Sequence, residues 1–177
     1  MKTTNKKKPD ENNINSAQKL LILGVGNELL SDEGIGVHTI KAMSKLDLPP
    51  EVELMDGGTD GFSLINIIVE TDRLILIDCV KGGSKPGTIY KFNIEDAPSC
   101  SDKFKTSVHQ ISILEVINLS ELVGKTPETT VIGVEPKSIS TSLELTDEVK
   151  AKIPRVIELI LEEVDDYLKR KIETDKV

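Results

Sequence analysis

Two carboxylates and an imidazole, Glu33, Asp78 and His109, are the residues of this chain whose types and positions suit a shared chemical task. They lie far apart in sequence, and each falls at the boundary of an apolar pattern. Glu33 opens the first helical pattern, Asp78 ends the clearest strand pattern, and His109 starts a helical pattern after an irregular stretch. A mixed oxygen and nitrogen donor set of this kind suits a divalent transition ion with water completing its shell. An incomplete protein shell is what a catalytic or substrate-shared site requires. Plainer roles are open to each residue: Glu33 can favour a helix dipole, Asp78 can cap a turn, and His109 can cap or pack. The other histidine, His38, sits inside the first helical pattern with no acid facing it at ligand-like spacing, and reads as structural.

These residues depend on the elements that carry them, beginning with Leu20–Gly36, L-L-I-L-G-V-G-N-E-L-L-S-D-E-G-I-G. Its short apolar run ending in glycine is the signature of a buried parallel strand. Gly24, Gly26 and Asn27 then form a turn where the backbone can approach a ligand closely. A dinucleotide fingerprint needs a third glycine three positions after the second. Leu29 stands there, Gly34 and Gly36 come too late, and Asp32 with Glu33 would repel a pyrophosphate.

Further along, strands are expected at Val52–Met55, Arg73–Asp78, Thr88–Asn93 and Thr129–Val134, with helices at about 33–46, 61–70 and 109–119. Glu135–Leu145 reads as a loop and Ile94–Ser107 as a mobile one. Thr146 is expected to cap a C-terminal helix whose apolar face runs from Val149 to Leu168, with a kink or restart at Pro154. The connector Lys81–Gly87 is too short for a crossover helix, so the fourth strand should be antiparallel to the third or lie at an edge. This alternation predicts an α/β fold. It is three-layered and doubly wound, with a mostly parallel sheet of about five strands, one of them antiparallel, and helices on both faces. Ligands collect at the C-terminal edge of such a sheet, where Glu33, Asp56 and Asp78 are expected.

Length and composition narrow the function classes. At 177 residues the chain should form one α/β domain over 19–177, preceded by a flexible Lys- and Asn-rich extension over 1–18. That extension lacks the apolar core of a signal peptide, and no apolar run reaches the roughly 18 residues of a membrane span, so a cytoplasmic protein is expected. A net charge of −8 argues against nucleic acid as a partner. Cys79 and Cys100 have no zinc-knuckle or redox spacing. There is no G-x-S-x-G elbow, and Cys79, beside Asp78 on a strand, points to the opposite face, which speaks against a thiol nucleophile.

Several stretches together resemble the hydrogenase maturation endopeptidases: G-V-G-N-E-L-L-S-D-E-G-I-G-V at 24–37, D-G-G-T at 56–59, L-I-L-I-D at 74–78, P-G-T at 86–88, S-V-H-Q at 107–110, V-I-G-V-E-P at 131–136 and L-T-D-E-V at 145–149. The resemblance implies an endopeptidase that removes a C-terminal extension from the large-subunit precursor of a nickel-iron hydrogenase. It places the metal-contacting and catalytic roles on Glu33, Asp78 and His109, with Asp78 or Asp56 as base. Gly24, Gly26, Asn27 and Asp56 become substrate-binding positions. It further implies that nickel arrives in the substrate, that no organic cofactor is used, and that the enzyme–precursor complex is transient. A non-catalytic metal- or peptide-binding domain and a nucleotide-dependent enzyme using Gly24 and Gly26 are the alternatives.

Overall fold

A computed structural model describes residues 19–95 and 113–174. The 1–18 extension, Cys100, His109 and nearly all of the expected mobile loop lie outside the described residues, as do the side chains of Phe62 and Leu114.

Five strands form one sheet in the order β2-β1-β3-β5-β4. They are β1 (Leu20–Val25), β2 (Val52–Gly58), β3 (Arg73–Cys79), β4 (Ile89–Asn93) and β5 (Glu128–Val134). The first three and β5 are mutually parallel, and β4 pairs antiparallel with β5 at the edge. The short connector after β3 therefore does yield an edge strand, but its partner is β5. On its other side from β1, β3 pairs with β5, which is reached only later, through α3 (Ile113–Val123).

Residue alternation along the strands divides the core in two. Leu20, Ile22, Ile75, Ile77, Ile132 and Val134 face α1 (Ile35–Met43), α4 (Asp147–Lys150) and α5 (Ile153–Thr174). Leu21, Leu23, Leu74, Leu76 and Val131 face α2 (Ile65–Val69) and α3. Covered on both sides, β1 is buried at every residue, which is why it reads as an unbroken apolar run.

Helix boundaries differ from expectation in instructive ways. The first two helical patterns each begin as a 3₁₀ turn, Ser31–Gly34 and Gly61–Leu64, before continuing as α1 and α2. β2 continues past Met55 to Gly58 because its backbone stays paired with β1, with a register shift at the end that skips Gly57. The C-terminal pattern is broken into α4 and α5, and Pro154 is the second residue of α5. In a first helical turn the missing N–H of proline costs no hydrogen bond, so the restart is the outcome there.

At the N-terminal edge of the sheet, buried Arg73 opens β3 and pairs with Glu163 of α5 and Glu128 of β5, its guanidinium also donating to Thr130 Oγ1 at 2.7 Å. This network pins α5 to the sheet at the end opposite the C-terminal edge.

Packing leaves no room for a side chain at Gly36 in α1. A Cβ there would stand 2.5 Å from the Ile77 carbonyl oxygen and 2.6 Å from the Val25 amide nitrogen. Replacing Gly36 with Ala should therefore destabilise the fold by at least about 2 kcal/mol in urea unfolding, despite the better helix propensity of alanine. Gly124→Ala, whose new methyl would meet Val69 at an ordinary 3.8 Å, should stay within about 0.5 kcal/mol of the parent.

Candidate active site

Winding of the sheet reverses between β1 and β3: β2 was added on one side of β1, and β3 and β5 on the other. The C-terminal ends of β1 and β3 thus border the switch-point crevice, the place where open α/β sheets bind ligands. Glu33 follows β1 and Asp78 is the penultimate residue of β3. The fold brings these two sequence-predicted acids to the same crevice.

The path from β1 to Glu33 is built by backbone constraints. Gly26 takes φ 130° and donates its N–H to Gly58 O at 2.8 Å. Asn27 closes the turn: its Oδ1 accepts from Leu29 N at 2.9 Å and its carbonyl from Leu30 N at 3.0 Å. Ser31 sits at φ 50°, rare for a residue with a side chain, and the 3₁₀ turn that holds Glu33 follows. A Cβ on Gly26 would collide with the Glu33 carbonyl, and one on Gly24 would lie 2.6 Å from Gly36 C. The room beside Gly24 and Gly26 is therefore filled by this chain's own turn and helix. On the side a Cβ would take, then, the close approach these glycines permit is made by the chain itself.

Asp78 is half-buried, and its neighbours Ile77 and Cys79 pack with the α1/α5 cluster. By alternation its own side chain belongs to the opposite, α2/α3 face. Burial, reinforced by the charge of Glu33, pushes its carboxyl up to about 7, while a 2.7 Å hydrogen bond from Cys79 N works the other way. The Cys79 thiol is raised far above its ordinary value by burial and then by the charges of Asp78 and Glu33. A thiol held protonated is not a nucleophile at neutral pH, in agreement with the sequence reading. Asp56, at the end of β2, is exposed, and its Oδ1 accepts from Gly58 N at 3.0 Å. It stands at the same edge but one strand beyond the crevice. Among the described residues no three His, Cys, Asp or Glu side chains converge on a metal position; the third expected ligand, His109, is outside them.

Comparison with known proteins decides what this edge belongs to. A family model described as hydrogenase maturation protease matches residues 37–163. The hydrogenase 2 maturation protease of Escherichia coli (strain K12) is 36% identical over 146 residues, which cover 81% of this chain and 88% of that protein. The hydrogenase expression/formation protein HupD of Rhizobium leguminosarum bv. viciae is 37% identical over 145 residues, 80% of this chain and 72% of that one. Among solved structures, the hydrogenase maturating endopeptidase HybD from E. coli superposes with a TM-score of 0.77 at 35% identity, covering 85% of this chain and 94% of that one.

This chain belongs to the hydrogenase maturation protease family.

The protease is a peptidase of hydrogenase maturation, and its resemblance to that family in sequence is borne out. The span matched by the family model includes Asp78 and His109 and begins four residues after Glu33.

Two further acids shape the crevice, and sequence reasoning missed both. Asp32, next to Glu33, is fully buried and does not face a ligand. Its carboxylate accepts from Lys137 N at 2.9 Å, Ser138 N at 3.0 Å, Thr146 N at 2.7 Å and Thr146 Oγ1 at 2.9 Å. It thereby clamps both ends of the loop after β5 onto the turn that presents Glu33. Thr146 does precede α4 as its N-cap residue, but its hydroxyl is spent on Asp32 and makes no cap hydrogen bond.

Glu135, just after β5, does the same for the loop after β3. It accepts from Gly82 N at 2.8 Å, Gly83 N at 3.3 Å, Ser84 N at 3.2 Å and the Tyr90 hydroxyl at 2.5 Å. Its own N–H donates to Thr88 O at 2.9 Å, and its carbonyl accepts from Gly87 N at 2.8 Å. The one usable signal was V-E-P itself: an acid directly after a buried strand, opposite a glycine-rich loop that needs an acceptor.

Burial opposes ionisation of Glu135, but the Tyr90 hydroxyl and the Gly82, Ser84 and Gly83 amides outweigh it and hold the carboxyl below its ordinary 4.5. A depressed folded-state pKa stabilises the fold above the unfolded value and loses that contribution as pH falls through the folded one. Glu135→Gln should therefore cost about 1.5–3 kcal/mol at pH 7. The gap to the parent should shrink below about pH 4, read as urea midpoints across a pH series.

Proposed function

We propose that this peptidase removes the C-terminal extension of a nickel-iron hydrogenase large-subunit precursor after nickel has been inserted. Glu33, Asp78 and His109 would complete the shell of the nickel that the precursor carries. The observation that carries the reading is the meeting of Glu33 and Asp78 at the switch-point crevice, within electrostatic reach of each other yet 45 positions apart in sequence. Supporting it, α3 begins four residues after His109 and packs on the face to which Asp78 belongs.

Two carboxylates held together repel, and that repulsion is relieved by a cation between them. The apo crevice therefore favours an incoming divalent ion over an empty state at neutral pH. The ion belongs to the substrate, so affinity for the precursor depends on whether metal insertion is complete. Once docked, the nickel supplies Lewis acidity to the scissile carbonyl or to a bound water. Burial and the charge of Glu33 push the Asp78 carboxyl up to about 7 while the crevice holds no metal; nickel beside it would favour the ionised form, leaving a carboxylate oxygen to accept a proton from the attacking water. Asp56, exposed and already accepting from Gly58 N, is the weaker candidate for base. No organic cofactor enters this scheme, and the complex must be transient because the product has to leave. Among the described residues no helix is long and apolar enough to cross a membrane. The precursor is a protein partner; the net charge of −8 gives nucleic acid no electrostatic hold.

The test is incubation with nickel-loaded and nickel-free precursor, following the mass of the released C-terminal peptide. The loaded form should be cut and the nickel-free form spared. Glu33→Gln and Asp78→Asn should each slow cleavage by about 100-fold or more, with His109→Ala comparably impaired. Failure to cut the loaded precursor contradicts the protease assignment of this substrate. Equal cutting of both forms contradicts the nickel requirement alone.

A further inference from the structure

β2 forms one edge of the sheet and pairs with β1 alone. In a parallel ladder, alternate residues of a strand turn their peptide groups to one neighbour. The bond from Leu20 N to Glu51 O at 3.3 Å sets the phase here. With Leu20 opposite Val52 and Ile22 opposite Leu54, Glu53 and Met55 bond to β1, while Val52, Leu54 and Asp56 turn their peptide groups outward. Val52 N is spent on Pro49 O at 3.0 Å, which closes the start of the strand. Among the described residues, the outward N–H and C=O groups of Leu54 and Asp56 meet no backbone partner.

Exposed edges are commonly guarded by lysine, proline or a covering element. β4, the opposite edge, carries Lys91 at its centre and runs away from the C-terminal end of the sheet. β2 holds neither lysine nor proline, and it ends at the crevice rim. There Gly58 O accepts from Gly26 N at 2.8 Å, in the turn that leads to Glu33. Gly58 takes φ 52°, and a Cβ on it would meet nothing within 4 Å, so the backbone at this end lies open. The edge also has one sign of charge. Between Lys45 and Arg73 every charged residue is an acid, and Glu53 and Asp56 are exposed on β2 itself.

Outward N–H and C=O groups along a strand are matched by the main chain of a second extended segment. A second copy of this edge would set acids against acids, which destabilises the pairing. A segment that is both extended and basic satisfies the backbone and the charge together.

We propose that a basic, extended segment of the precursor adds as a strand to the free edge of β2, bonding through its main chain to Leu54 and Asp56. This rests on the proposed precursor reading and adds to it the way the substrate chain is held. The added strand lies two ladder spacings from β1, about 10 Å, so some three extended residues carry the chain from the edge to the crevice. Contacts made away from the reacting atoms strengthen substrate and transition state alike, so they appear in KM and leave kcat unchanged.

The experiment compares Leu54→Pro with Leu54→Ala on nickel-loaded precursor. Both remove the leucine side chain, but only proline removes the outward N–H, and neither touches the bonds of Glu53 and Met55 to β1. KM should be about ten-fold higher for the proline variant than for the alanine variant, with kcat within about two-fold. Raising NaCl from about 50 to about 300 mM should raise the parent's KM at least about three-fold, and Glu53→Gln should weaken that dependence. A measurement on the parent covers the case in which the proline variant does not fold. With loaded precursor in excess, so that the edge stays occupied during turnover, amide exchange over residues 52–58 should slow at least about five-fold. Equal KM in the two folded variants, or unchanged exchange while the parent is cutting, overturns strand addition and leaves the protease reading intact. A parent dimer that Leu54→Pro dissolves assigns the edge to a second copy and overturns it too. A parent that leaves the loaded precursor uncut contradicts the precursor reading, and strand addition falls with it.

Discussion

The segment after β1 lies directly against the sheet, backbone on backbone, and this contact governs the rest of the site. Gly24, Gly26 and Gly36 supply no side chains to hold the layers apart. A methyl on Gly36 would strike both Val25 of β1 and Ile77 of β3, the two strands that border the crevice. The packing that seats α1 on the sheet is therefore also what fixes how far Glu33 stands from Asp78. Were the turn lifted by the width of a methyl group, the two carboxylates would separate, and the charge coupling that helps raise Asp78 would weaken. The geometry of the crevice and the stability of the fold rest on the same contact.

Four acids near the C-terminal edge then acquire different jobs from their surroundings. Asp32 and Glu135 are enclosed by donors, three backbone amides each together with a hydroxyl from Thr146 or Tyr90. Such donor cages suit both to hold loops, and around Glu135 they favour the ionised form. Asp78 has one amide partner, partial burial and a like charge beside it, and its proton is held up to about 7. Glu33 lies on a turn whose neighbour Asp32 is locked. The loop anchors hold the two crevice carboxylates close together without the crevice relaxing around them.

Much of this was readable from sequence because it was local. Buried strands announce themselves as apolar runs ending in glycine or an acid, and the switch-point edge follows from their alternation with helices. Glu33 and Asp78 could be placed at that edge for this reason. What sequence hid was non-local. Asp32 finds its partners 105 and more residues away, so nothing in its own neighbourhood separates a loop clamp from a candidate site acid. β4 could be assigned to an edge from the shortness of its connector, but its pairing with β5 depends on a strand that comes later in the chain. The glycines were rightly read as marking close approach; that the approaching backbone is α1 and its preceding turn required the tertiary fold.

The central claim is that Glu33 and Asp78 jointly face a metal ion, with His109 as the third ligand. Nickel K-edge anomalous difference maps from crystals of the protein soaked in Ni(II) test it most directly. One strong peak bridging the carboxylates of Glu33 and Asp78 and in contact with the His109 imidazole is the result expected. Nickel bound elsewhere on the molecule, with those two carboxylates untouched, would contradict the account.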